Sequence, residues 1–192
     1  MKLVYLLFGT LCFQLCNVKL EAAAIEDSIP FYRYYKSNGF DHFYTTNPKE
    51  IGTVEPGTVG KHDYKSEGIA CRIFRYQFID LSPLYRYWKA GNTVDHFYTL
   101  DEDEIGTTKK GEVGNHGYKS EGIAGYCSRE QLPGTIPLYR YWHEKNGDHF
   151  YTTDANEIGT TSPGQTGSHG YKSEGITCYV LPDYQDYISP PI

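Results

Sequence analysis

The sequence Asp148-His-Phe-Tyr-Thr152 decides the fold, because the same five residues recur at 41–45 and at 95–99. In each copy, Tyr-Arg-Tyr stands upstream of it and Tyr-Lys-Ser-Glu-Gly-Ile stands downstream. The Asp-His pairs begin at 41, 95 and 148, so the copies are 54 and 53 residues apart. Self-similarity at a fixed period is the signature of a repeat architecture. The chain therefore divides into three repeats of one domain, at 30–82, 83–136 and 137–181.

Each repeat predicts β-strands, with at most a helical turn near 47–50 and its equivalents. Aromatic and β-branched runs are separated by segments with Gly and Asn, such as Glu144–Gly147, which is a hairpin signal. A second hairpin is expected to turn near Ser-Glu-Gly. In the strand that follows it, Ile176, Cys178 and Val180 should share an inward face. The repeated Ile is therefore assigned to the core.

This pattern gives about four strands per repeat, or twelve in all. A solenoid of three repeats would need polar caps, which the sequence does not offer, and a propeller usually has four or more blades. A closed three-fold arrangement leaves no sheet edge unpaired. We therefore expect an all-β fold, a β-trefoil of three tandem repeats with pseudo-three-fold symmetry.

The N-terminus has the pattern of a secretion signal. Lys2 precedes an apolar run from Leu3 to Cys16 that is too short to span a bilayer, and Ala22-Ala23-Ala24 offers a cleavage site. We expect residues 1–24 to be a signal peptide, with an uncleaved anchor as the alternative. The mature domain would then be 25–192, ending in a Pro-rich tail at 182–192. This predicts a secreted, extracellular protein without membrane insertion.

Charge and composition limit the classes of binding partner that we expect for this protein. Removal of 1–24 takes away two lysines and one glutamate, so the formal net charge changes from −6 to −7. An acidic chain without a Lys/Arg run is poorly suited to nucleic acid or to an anionic membrane. The 19 tyrosines can pack their rings and still offer a hydroxyl to water or to a ligand.

Three cysteines remain in the mature chain. Cys71 and Cys178 occupy the same place in their repeats, four residues after the repeated Glu, and secretion permits a disulfide between them. Cys127 would then be left over and could join two chains into a dimer. Three buried thiols are the alternative.

The pattern Tyr-Arg-Tyr-(Trp/Tyr), Gly-Asp-His-Phe-Tyr-Thr-Thr, Glu-Ile-Gly and Gly-Tyr-Lys-Ser-Glu-Gly-Ile resembles a secreted tandem-repeat family catalogued as a domain of unknown function. The resemblance covers residues 30 to about 180. It implies a β-trefoil and an extracellular binding role, often beside hydrolases, and brings no established ligand or catalytic residue. The second repeat departs from the pattern through an extra Val94 and through Gly125 in the cysteine position.

Repeated polar and aromatic residues predict a triplicated sugar site. Asp and His can bond sugar hydroxyls, a Tyr or Trp ring can stack on a sugar face, and His residues in Gly-rich loops commonly face solvent. The structural alternative is that Asp caps a turn and His bonds the backbone. The candidate ligand-binding residues are Asp41, His42, Tyr44, His62, Trp88, Asp95, His96, Tyr98, His116, Trp142, Asp148, His149, Tyr151 and His169.

The repeated Arg is expected to form an ion pair with a carboxylate of its own repeat, since a half-buried Arg must be paired, and ligand binding is the alternative. The carboxylates available to Arg33 are Asp41 and Glu67. The two histidines of each repeat are 20 residues apart without a metal-binding motif, so no metal or other cofactor is expected. No catalytic motif occurs, and triplicated residues differ from the usual single asymmetric active site.

We therefore expect a non-enzymatic, lectin-like protein with up to three equivalent sites for extracellular glycans or glycoproteins, acting through avidity. The alternative is a secreted protein-binding module, an inhibitor or a matrix component, that uses one asymmetric loop such as 53–62 or 162–169. Abundant Tyr suits such an interface. A structural secreted protein with no small ligand is the third hypothesis.

Overall fold

The computed structural model describes residues 26–91 and 93–183. The predicted signal peptide and the tail from 184 onward lie outside these residues. The described part is all-β, with one single-turn helix, α1 (Ala155–Ile158), in the third repeat. None of its helices has the length and apolar character needed to cross a membrane. The strands are β1 (Ser28–Lys36), β2 (Asp41–Thr45), β3 (Lys65–Phe74), β4 (Ser82–Lys89), β5 (Asp95–Thr99), β6 (Lys119–Cys127), β7 (Ile136–His143), β8 (Asp148–Thr152) and β9 (Lys172–Val180).

Every repeat uses the same three-strand unit. Its first strand pairs antiparallel with a short buried strand on one side and with a long strand on the other. The strand orders are β2-β1-β3-β6-β4-β5 in one sheet and β8-β7-β9 in the other. Single pairs join the long strands of different repeats: Phe74 with Tyr126, Arg72 with Leu181, and Ser128 with Tyr179.

The second hairpin lies at a different place from the one predicted. β9 continues through Ser-Glu-Gly as a single strand, and the chain reverses earlier, at a 3₁₀ turn over Ser168–Gly170. There Thr166 forms an isolated bridge with Lys172. The expected fourth strand is thus reduced to one bridge in a polar, Gly-rich segment. The described residues contain nine strands, not twelve.

Two β-bulges per repeat explain where the repeated Glu and Ile point. Arg140 pairs with Gly175 and Tyr141 with Ser173, so Glu174 is an extra residue whose side chain is turned towards Arg140. A second bulge places Ile176 and Cys178 on opposite faces of β9, because the residue between them is also unpaired. The predicted inward face is therefore wrong for Ile176, which is 48% exposed, although Cys178 and Val180 are buried.

The core of the described residues consists of one central cluster, three equivalent smaller ones, and a fourth small cluster of Phe74, Leu81 and Leu181. The central cluster holds Tyr44, Tyr98 and Tyr151 together with apolar residues of the long strands. Each of the three equivalent clusters belongs to one repeat and combines two tyrosines, a Phe and an Ile, as in Tyr87, Phe97, Ile105 and Tyr118. The repeat motif therefore specifies both the interior of a repeat and the centre where the repeats meet.

The disulfide differs from the predicted one. Cys127 bonds Cys178, while Cys71 is a buried free thiol, so Cys127 is not available to link two chains. Strand pairing explains the choice. The position of Cys127 in the second repeat corresponds to that of Ile73 in the first, and Ile73 faces position 125 of the following repeat. A residue at this position therefore reaches the next repeat, which for Cys127 places Cys178 opposite.

Candidate functional site

The Asp-His pairs link neighbouring repeats at the centre of the molecule. Asp95 accepts hydrogen bonds from the backbone N–H of His149 at 2.8 Å and from its Nδ1 at 2.7 Å, and the Tyr118 hydroxyl donates to the same carboxylate. Asp41 binds His96 and Tyr64 in the same way, and Asp148 binds His42 and Tyr171. Neither the functional hypothesis nor its structural alternative anticipated this contact between repeats.

The carboxylates are buried and lie close to one another. One oxygen from each of Asp41, Asp95 and Asp148 lies within 4.8 Å of the others. Burial raises the pKa of Asp41, but the charge on His96 and hydrogen bonds from His96 and Tyr64 oppose this and hold the pKa below its ordinary value. Burial and the Asp41 charge raise the pKa of Tyr64 far above its ordinary value, so this hydroxyl stays a donor. We assign these groups to the scaffold.

The three tyrosines of the Asp-His-Phe-Tyr motif form a closed ring of hydrogen bonds. The Tyr98 hydroxyl donates to the Tyr44 carbonyl at 2.6 Å and accepts from the Tyr44 N–H at 2.8 Å. Tyr44 does the same with Tyr151, and Tyr151 with Tyr98. Because all three are at most 1% exposed, the predicted role of these rings in stacking on a sugar is wrong.

The repeated Arg joins two repeats through two carboxylates. Arg140 Nε lies 2.7 Å from Glu174 of its own repeat, as predicted, while its terminal nitrogens bind Glu104 of the preceding repeat at 2.9 and 3.1 Å. Arg86 and Arg33 repeat this arrangement. The predicted alternative partner, the motif Asp, binds His instead. The Glu-Ile-Gly motif was the sequence signal for the second carboxylate.

Each Arg–Glu pair is partly exposed to solvent. Burial raises the pKa of Glu50, but hydrogen bonds from Arg86 and Thr45 outweigh it, so the pKa lies below its ordinary value. The same balance, with Arg140 and Thr99, lowers the pKa of Glu104. These carboxylates remain charged acceptors at neutral pH.

Two clefts lie above these Arg–Glu pairs, each at a boundary between repeats. The first cleft, of about 500 Å³, is between repeats one and two, and its walls include Trp88, Lys36 and His62. The second cleft, of about 460 Å³, is between repeats two and three, with Trp142, Lys89 and His116 at the equivalent places. Both sizes lie in the range of small-molecule sites.

The clefts bring together six of the fourteen predicted site residues. His96 and Trp88 face the first cleft, His149 and Trp142 the second, and the exposed His62 and His116 stand at the rims. Both rim histidines have a left-handed backbone, with φ of 58°. His169 occupies the same kind of turn at the third boundary. The Asp and Tyr residues of the motif lie behind the cleft walls and are buried.

The boundary between repeats three and one has different side chains. Tyr35 takes the place of Trp and stacks on His42 with a centroid distance of 4.5 Å. His143 takes the place of Lys, packs its ring edge-on against Tyr171 at 5.1 Å, and accepts a hydrogen bond from the Asn146 N–H at its Nδ1. The three boundaries thus share the Asp-His and Arg–Glu contacts and differ at the rim.

Comparison with known proteins gives one family and no individual relative. Neither the curated proteins nor the solved structures include a significant match to this chain. A family model, described as "Domain of unknown function (DUF5648)", matches residues 30–181. That range contains all three repeats, both clefts and the disulfide. The chain therefore belongs to the DUF5648 family.

Proposed function

We propose that the protein is an extracellular, non-enzymatic carbohydrate-binding protein whose sites are the first and second clefts. One observation carries the proposal: each cleft places a half-buried Trp beside a ring of polar side chains, at a size that fits one or two sugar units. Trp88 and Trp142 were predicted as stacking residues. A sugar ring needs both a flat apolar partner and several hydrogen-bonding groups, and these clefts offer both.

The cleft walls are held in place by the scaffold. Trp142 packs on His149 with a centroid distance of 4.5 Å, and His149 is fixed in turn by Asp95. Arg140 packs over the Phe97 ring at 5.0 Å while both its carboxylates hold it. A site whose side chains are ordered before binding loses less entropy when a ligand arrives.

We also propose that the architecture is a β-trefoil with a pseudo-three-fold axis near Tyr44, Tyr98 and Tyr151. Their cyclic hydrogen bonds support this, as do the equivalent strand pairings in the three repeats. The isolated bridges at Val59, Val113 and Thr166 would stand for the fourth strand of each repeat. An experimental structure would test the symmetry by superposing each repeat on the next.

Secretion is part of the proposal. The leader pattern of residues 1–24 and the disulfide between Cys127 and Cys178 support it, because disulfides persist in oxidising compartments. Mass spectrometry of the protein secreted by a eukaryotic host would check the new N-terminus at Ile25 and the oxidised pair. An intact leader on the secreted chain would contradict the cleavage.

A protein-binding function is the second candidate, and one surface favours it. The connection between repeats one and two exposes Tyr76, Phe78 and Ile79, the last being 97% exposed. Adjacent exposed apolar residues of this kind suit a protein interface. Such a site would be single and asymmetric, whereas the sugar sites are paired.

A glycan array probed with residues 25–192, with and without divalent cation, tests the main proposal. We expect bound glycans to share one sugar unit. Trp88→Ala and Trp142→Ala should each weaken binding at least about tenfold, because a buried aromatic anchor dominates such contacts. Circular dichroism should show that both variants remain folded, since each Trp is only half-buried.

Tyr76→Ala is the matched control, because it removes an exposed aromatic ring outside the clefts. It should leave glycan binding unchanged. If no glycan binds a folded sample, the carbohydrate proposal fails. Protein pull-downs that depend on Tyr76, and not on Trp88, would then favour the second candidate.

A further inference from the structure

Each cleft contains one charged group without an ionic partner. Lys36 lines the first cleft with its ammonium 5.8 Å from the centroid of Tyr64, and Lys89 lines the second, 5.4 Å from the centroid of Tyr118. Within residues 26–91 and 93–183, neither ammonium lies within ion-pair distance of a carboxylate. An ammonium beside an aromatic ring is oriented by the ring and partly desolvated.

The other charges of the clefts are already engaged. Arg140 is held by Glu104 and Glu174, and the Nε2 of His149 lies 3.7 Å from the Glu174 carboxylate. In the first cleft, Arg86 is held by Glu50 and Glu121 in the same way. The lysine is therefore the group left to meet a charge on an incoming ligand.

We propose, on the basis of the carbohydrate function above, that the two clefts select a sugar carrying a single anionic group, a carboxylate or a sulfate. Its ring lies on Trp88 or Trp142, and its anion is held by Lys36 or Lys89. Hydrogen bonds between charged partners are about twice as strong as neutral ones, so this contact sets the preference over a neutral sugar.

The overall charge limits the ligand to a single anion. The mature chain has a net charge of −7, which repels a polyanion along its whole length. Beyond about 8 Å, physiological salt screens charges, so a lone anion in the cleft responds mainly to the nearby lysine. A heparin-like chain extends beyond the cleft and is therefore opposed by this net charge.

Within the described part of the chain, the third boundary lacks this anion site. His143 stands where the other boundaries have Lys, and its Nδ1 accepts a hydrogen bond from the Asn146 N–H at 3.1 Å. An imidazole nitrogen that accepts a hydrogen bond carries no proton, so this Nδ1 has none to donate to an anion. With Tyr35 in place of Trp as well, we infer two anion-selective sites per chain.

Isothermal titration of residues 25–192 with matched sugars tests the inference. The probes are methyl glucuronide against methyl glucoside, methyl galacturonide against methyl galactoside, and galactose 6-sulfate against galactose. We expect the anionic member of at least one pair to bind about tenfold or more tightly, with two sites per chain. The first two pairs test a carboxylate and the third a sulfate.

The variants assign the preference to the lysines. Lys36→Gln with Lys89→Gln should abolish the preference for the anionic member while circular dichroism stays unchanged. Lys109→Gln is the control, because it removes a lysine paired with Glu112 outside the clefts. Tyr35→Trp with His143→Lys should raise the number of sites from two to three.

Three results would overturn the inference: equal binding of the neutral members, tighter binding of heparin than of the single sugars, or a preference that survives the double lysine variant. In each of these cases glycan binding persists, so the carbohydrate function stands. If no sugar binds in either the array or the titration, both proposals fail together.

Discussion

The motif strands at the centre and the residues at the cleft rims differ in how closely the three repeats agree. Asp-His-Phe-Tyr is identical in the three repeats, and all of its residues are buried. At the rim, the aromatic position is Tyr35, Trp88 or Trp142, and the next residue is Lys or His. The Asp, His and Tyr side chains at the centre form hydrogen bonds with another repeat. The rim side chains vary from one boundary to the next.

This difference follows from the cyclic series of contacts that joins the three repeats at the centre. Asp95 requires the His of the third repeat, whose own Asp requires the His of the first. A change at one central position therefore leaves a buried partner unsatisfied in another repeat. A rim residue such as Lys89 has no such partner, so it can change without a matching change elsewhere.

Asp95→Ala should produce the largest loss of stability. It removes the acceptor of two hydrogen bonds from His149 and one from Tyr118, and each buried donor left without a partner costs about 1–3 kcal/mol. Chemical denaturation measures the free energy of unfolding. The exposed Asp103→Ala is the control and should stay within about 0.5 kcal/mol of the original. Equal losses for both variants would show that the centre is not special.

Tyr98→Phe should have the next largest effect. The lost hydroxyl leaves the N–H and the carbonyl of Tyr44 without a partner inside the core, which costs about 2 kcal/mol. If the ring is cyclic, Tyr44→Phe and Tyr151→Phe should cost the same within error. Tyr76→Phe, at an exposed position, should have no effect. Unequal losses of stability among the three variants would contradict the equivalence of the repeats.

Glu50→Gln should have the smallest effect, because its side chain is 32% exposed and its pair with Arg86 is partly solvated. We expect a loss of up to about 1 kcal/mol at pH 7. Since the pKa of Glu50 is lowered in the folded state, its contribution is present above the ordinary Glu pKa and disappears as pH falls through the folded value. The stabilities of variant and original should converge as pH falls below the folded-state pKa of Glu50. A gap that widens with acid, or an equal loss in the exposed Glu55→Gln, would contradict this.

Much of the fold could be predicted from the repeat alone. The sequence predicted an all-β chain, which the structure confirms, and an ion pair of the repeated Arg within its own repeat, of which Arg140–Glu174 is an example. It located the first hairpin of each repeat correctly, because the Gly- and Asn-containing turn lies between two aromatic runs, as at Glu144–Gly147.

The incorrect predictions arose where a bulge or an unusual turn interrupts the two-residue alternation of a strand. The bulge beside Ile176 reverses the face of the strand, which placed an apolar side chain outside. The turn at Ser168–Gly170 needs a left-handed His, which is uncommon for a residue with a side chain, so Ser-Glu-Gly looked like the better turn.

The candidate site was harder to predict, because its partners belong to different repeats. The repetition of the Asp-His pair indicates that both residues are important. It does not indicate which copy of the Asp contacts which copy of the His. The same ambiguity misassigned the disulfide, since Cys71 and Cys178 are equivalent positions and equivalent positions of neighbouring repeats do not face each other. Trp88 and Trp142, which were predicted to stack on a sugar, line the two clefts, and their binding role stays a prediction.

Both ends of the repeat array meet the same strand, β3. The Asp27 carbonyl accepts a hydrogen bond from the Arg75 N–H, and Leu181 pairs with Arg72. A short linker from 183 to 26 could therefore join the ends, and the gene could be reopened between Arg75 and Leu81, so that the second repeat comes first. The contacts at the two ends of the array therefore do not require the first repeat to come first in the chain.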